Sequence, residues 1–74
     1  METPLYSSKD ISRLVRERRK ALGYTQVEVA AFCNVGLRFL SELENGKETL
    51  QLAKVLNVMH ILGIDLFAKQ RGTE

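Results

Sequence analysis

Apolar residues at Ile11, Leu14, Val15 and Leu22 recur at the three-and-four spacing of a helix that hides one face, and Gly23 ends the run. With Ser8 placed to cap it and Asp10 in the first turn, the pattern predicts a first helix over about 9–22. Thr25 and Glu28 have capping-box spacing, in which each side chain satisfies a backbone amide of the new helix start. A second helix is predicted from Gln26 to Phe32, burying Val29, Ala30 and Phe32. The turn-tolerant Asn34 and Gly36 separate it from a third helix over Leu37 to about Glu44, which Asn45-Gly46 closes. Thr49 is placed to cap a fourth helix with a stripe of Leu52, Val55, Leu56, Met59 and Leu62, stopped by Gly63.

The two ends read differently. Residues 1–7 lack periodicity and hold the only proline, as expected of a flexible leader before a domain over 8–63. Residues 64–74 form a strand and tail, since Ile64 to Gln70 alternates weakly. An isolated strand in a helical domain has no sheet to join, and pairing with its copy across a twofold axis would supply one. Apolar residues off the stripe of the fourth helix also call for a second covering surface. The expected dimer interface is Val58, Ile61, Leu66 and Phe67.

Composition narrows the chemistry. The 74 residues suffice for one domain, and 45% hydrophobic content supplies a core. Net charge is only +2, yet five of the eleven bases are Arg13, Arg16, Arg18, Arg19 and Lys20, a local basic face. Extending the apolar face of the first helix one turn beyond Val15 reaches Arg18 and Arg19, so an arginine at the core edge needs an anionic partner. One cysteine and one histidine allow neither an intramolecular disulfide nor a clustered metal site, and no cofactor or metal is expected. No run suits a bilayer and the first residues lack a secretory pattern, so a cytoplasmic, non-membrane protein is expected. With no acid-base pair beside a nucleophile and no phosphate-binding glycine loop, an enzyme is not expected.

Two short helices joined by about four residues have the spacing of a DNA-binding helix-turn-helix. The stretch Leu22-Gly23-Tyr24-Thr25-Gln26-Val27-Glu28-Val29-Ala30, followed by Leu43-Glu44-Asn45-Gly46-Lys47, resembles the Xre and lambda-repressor-like family over residues 11–63. The resemblance implies an all-α, compact four- to five-helix domain with its helix-turn-helix at about 26–44. It implies phosphate contacts from Gln26, Asn45 and Lys47, and base readout from Leu37, Arg38, Phe39 and Glu42. Arg38 is the strongest reader, because a guanidinium can donate to guanine O6 and N7 together. Phe39 has an alternative, packing inward with Phe32 and Leu40. Arg19 and Glu44 match the family's structural ion pair.

Departures from the family pattern fall at Gly36, where Ser or Thr is common, and at Glu42, whose charge can accept from cytosine but repels phosphate. Cys33 reads as a packed thiol. The link Lys47-Glu48-Thr49 and the ending Leu62-Gly63-Ile64-Asp65-Leu66 look like small Hip-type antitoxins. That narrower resemblance implies a homodimer on an inverted-repeat operator in double-stranded DNA, autorepression, and a kinase-fold toxin as partner. A phage-like or restriction-system regulator, and a protein-interaction adaptor that does not bind DNA, are the alternatives.

Overall fold

Local hydrogen bonding starts the first two helices where side chains can cap them. Ser7 Oγ accepts from the Asp10 amide at 3.2 Å, one residue earlier than the cap expected at Ser8. The Thr25 amide donates to Glu28 Oε1 at 2.8 Å, and the Glu28 amide donates to Thr25 Oγ1 at 3.1 Å, completing the capping box. The computed structural model describes residues 2–72 and contains α1 (Ser8–Ala21), α2 (Gln26–Cys33), α3 (Leu37–Glu44) and α4 (Leu52–Ile61). Met1 of the expected leader, and Thr73 and Glu74 of the expected tail, lie outside the described residues.

The core joins Val15 of α1, Val29, Ala30 and Cys33 of α2, Leu40 and Leu43 of α3, and Val55, Val58, Met59 and Leu62 at α4. Phe32 departs from expectation. It lies half exposed, edge-on to Tyr24 with ring centroids 5.0 Å apart, while Cys33 takes the inward position. Expected as part of a dimer face, Val58 is instead 0% exposed within the subunit. The inward face of α4 is Val55, Val58, Met59 and Leu62, a rotation that leaves Leu52 65% and Leu56 42% exposed.

The start of α4 also moves. Thr49 lies in a bend before the helix, Gln51 occupies the cap position without a side-chain hydrogen bond, and Leu50 packs against the core from the linking segment. Core burial, rather than capping, holds this helix in place.

Two contacts fasten the ends. Leu5 packs against the core and the Tyr6 amide donates to Asp10 Oδ2 at 2.9 Å, tying down the end of the expected leader. After α4, Arg18 Nε donates to the Leu62 carbonyl at 2.8 Å. Gly63 follows with φ +78, where an added Cβ would meet Arg18 Nη2 at 3.0 Å. Residues 64–70 carry no regular secondary structure in the single chain, and Leu66 and Phe67 are exposed.

Candidate nucleic-acid interface

The third helix presents two faces of opposite character. Leu40, Leu43 and Glu44 are buried, whereas Leu37, Arg38, Ser41, Glu42 and Asn45 share the other side at helical spacing. Arg38 projects furthest, with its side chain 90% exposed. Leu37 is also exposed beside it. Phe39 follows the inward alternative: partly buried, it packs against the core, and Lys54 Nζ sits 5.8 Å from its ring centroid. Ser41, half-buried on the reading face, belongs with the candidates although no family motif marks it. The spacing 37, 41, 45 is the signal that identifies it.

Beneath this face Glu44 is 3% exposed and holds three elements together. Arg19 of α1 donates from Nε to Oε2 at 2.7 Å and from Nη2 to Oε1 at 2.9 Å, a bidentate pair. Gln26 at the start of α2 donates from Nε2 to Oε1 at 3.0 Å, and Arg19 Nη1 reaches the Tyr24 carbonyl at 2.9 Å. Burial pushes the Glu44 carboxyl upward, but hydrogen bonds from Arg19 and Gln26, with the charges of Arg19 and Arg16, hold it below the ordinary carboxylate value. The hydrogen bond to Glu44 raises Arg19 against the opposing effect of burial. Among the described residues no buried side-chain nitrogen or oxygen lacks a hydrogen-bond partner.

Glu42 makes a second, exposed junction. Lys47 Nζ donates to its Oε2 at 3.2 Å and Arg38 Nε to the same oxygen at 3.3 Å. The Lys47 hydrogen bond, against the opposing effect of burial, and the Arg38 contact hold the Glu42 carboxyl below its ordinary value. One carboxylate thereby tethers Arg38, the expected base reader, and Lys47, an expected phosphate ligand, to each other.

The remaining phosphate candidates flank these junctions. Asn45 Nδ2 donates to the Ser41 carbonyl at 2.9 Å, closing the C-terminal turn of α3 with its side chain at the surface. Gln26 spends one amide hydrogen on Glu44 and keeps its other polar valences at the N-terminus of α2, where backbone amides favour an anion. Burial pushes the Cys33 thiol up, which suits a packed side chain. No group of three or more His, Cys, Asp or Glu that could hold a metal ion occurs among the described residues.

A helix-turn-helix family model matches residues 15–68, which spans α2, α3, α4 and the link between them. The chain belongs to the helix-turn-helix family. An uncharacterized HTH-type transcriptional regulator of Sinorhizobium fredii is 49% identical to this helix-turn-helix protein over 61 residues, covering 80% of each chain. Among solved structures, HipB in complex with an O2 20mer superposes with a TM-score of 0.86 over 96% of this chain and 99% of that one, at 18% identity. HipB in a HipA-HipB-O2-O3 complex gives 0.85 over 95% and 99%, again at 18% identity. At that identity the likeness is one of fold. Family membership makes this helix-turn-helix protein a DNA-binding transcriptional regulator rather than an enzyme. Among the described residues no helix is long and apolar enough to cross a membrane.

Proposed function

We propose that this helix-turn-helix protein is a sequence-specific repressor that binds an inverted-repeat operator as a homodimer. The observation that carries the reading is the outward face of α3: Arg38 stands free of the core at its N-terminal end, with Gln26, Asn45 and Lys47 around it as phosphate ligands. Leu37, Arg38 and Glu42 read base edges, and Arg38 pairs with guanine at the cost of releasing Glu42. Two copies set their α3 helices roughly 34 Å apart in successive major grooves. Ile61, Leu66 and Phe67, exposed in the single chain, meet across the twofold axis, and segment 64–70 pairs as a strand with its copy.

The narrower role is that of a Hip-type antitoxin, repressing its own operon and binding a kinase-fold toxin. Support comes from the likeness of fold to HipB over nearly the whole chain, including HipB solved together with HipA. The test is a gel-shift titration against the chain's own upstream promoter and a scrambled duplex, with mass by light scattering. Selective binding by a dimer supports the repressor. Binding to neither duplex at low salt overturns it in favour of an adaptor, and selective binding with no toxin gene adjacent removes the antitoxin role alone.

A further inference from the structure

The basic residues of α1 separate into two groups. Arg18 donates to the Leu62 carbonyl and Arg19 to Glu44, so both guanidinium groups are held by partners within the chain. Lys9, Arg13, Arg16 and Lys20 instead follow one another at steps of four, three and four residues, within a narrow arc of the helix and over about 16 Å. All four are exposed. Like charges at this spacing destabilise a helix, and among the described residues the stripe makes one ion pair, Arg13 to Asp10 at 3.9 Å. By contrast, Arg19, Arg38 and Lys47 each meet a carboxylate at 3.3 Å or less.

The stripe borders the reading face. Lys9, Ser12, Arg13 and Arg16 line an open cleft of about 220 Å³ whose other wall is Glu44 and Asn45, the C-terminal end of the recognition helix. Gly46, at φ +82, lets the chain lie against α1 there; an added Cβ would stand 3.4 Å from Lys9 Cγ. Ser12 is buried and its hydroxyl donates to the Lys9 carbonyl at 2.9 Å, fixing the cleft floor. A run of exposed cations that outnumbers the carboxylates beside it, Asp10 and Glu44, and is continuous with the proposed phosphate-binding edge fits a regularly spaced polyanion.

We infer that Lys9, Arg13 and Arg16 of this cleft form a second phosphate-binding site beside the Asn45 contact, holding the duplex backbone outside the base pairs that α3 reads. It rests on the DNA-binding reading. It makes affinity depend on flanking DNA of any sequence, because phosphate contacts add charge neutralisation without base information.

The test uses fluorescence anisotropy over a salt series on two duplexes: the minimal promoter segment the protein protects, and the same segment extended by about ten flanking base pairs on each side, one helical turn. The wild type binds the extended duplex more tightly and with the steeper salt slope. Arg13→Gln with Arg16→Gln weakens binding to the extended duplex roughly ten-fold and flattens its slope by about 0.9 for each phosphate lost, while the minimal duplex is unaffected. Arg13→Lys with Arg16→Lys retains the slope. Both pairs keep the wild-type melting curve because the side chains are exposed. Glutamine variants that bind both duplexes like the wild type, or lose equally on both, overturn the site and leave the DNA-binding reading standing. A wild type that binds neither duplex removes both.

Discussion

Glu42 and Glu44 stand two residues apart on α3 and do opposite work. Glu44 is buried and ties α1 and α2 to α3 through a bidentate arginine and a glutamine. Glu42 lies at the surface and bridges Arg38 and Lys47, the proposed base and phosphate contacts. Both carboxyls are held below their ordinary value, yet the consequences differ with the surroundings. In the buried pair, loss of one partner strands a charge away from water. In the exposed trio, water and salt stand ready to replace any partner, so the contacts can be exchanged for phosphate and base.

The largest effect should come from the buried side. Glu44→Gln is expected to cost about 3 kcal/mol in urea unfolding, whereas Arg19→Met with Glu44→Leu recovers most of that loss by removing both charges. A single variant as stable as the wild type would break the contrast. The same pair sets an acid dependence: with the Glu44 folded value depressed, its contribution is complete above the ordinary carboxylate value and drains as pH falls through the depressed one. Glu44→Gln should therefore narrow its stability gap from the wild type in melts taken below about pH 4.

On the exposed side, Arg38→Ala should lower operator-over-scrambled discrimination by about 1 to 3 kcal/mol in competition binding, with an unchanged melting curve. Lys47→Ala should weaken all sequences alike and flatten the salt slope by about 0.9. Glu42→Gln should have the smallest effect. It leaves stability near the wild type and modestly raises affinity for scrambled duplex, since Arg38 and Lys47 no longer have an internal anion; reduced affinity for every duplex would instead assign Glu42 to direct base contact.

Legibility followed how local each determinant is. The Thr25–Glu28 box, the bounds of α3 and the Arg19–Glu44 pair were readable because a short motif or a polar residue at an apolar edge announces them. The turn of α4 was not. Leu52, Val55, Leu56, Met59 and Leu62 satisfy helical spacing as well as Val55, Val58, Met59 and Leu62, and only packing against α2 selects the second set. Phe32 and Phe39 exchanged expectations for a related reason. Hydrophobicity says that an aromatic ring seeks cover, but not whether a neighbour such as Tyr24 or the core supplies it. Within the basic face, charge alone could not separate Arg18 from Arg16, because one finds a carbonyl 44 residues away and the other faces a cleft.

Adjacent arginines on α1 also fasten two separate parts of the domain to one helical turn. Arg18 and Arg19 leave the same helical turn about 100° apart, one gripping the chain where α4 ends and the other gripping α3. One turn of α1 therefore anchors both α3 and the segment that follows α4, so two distant parts of the chain share a single footing.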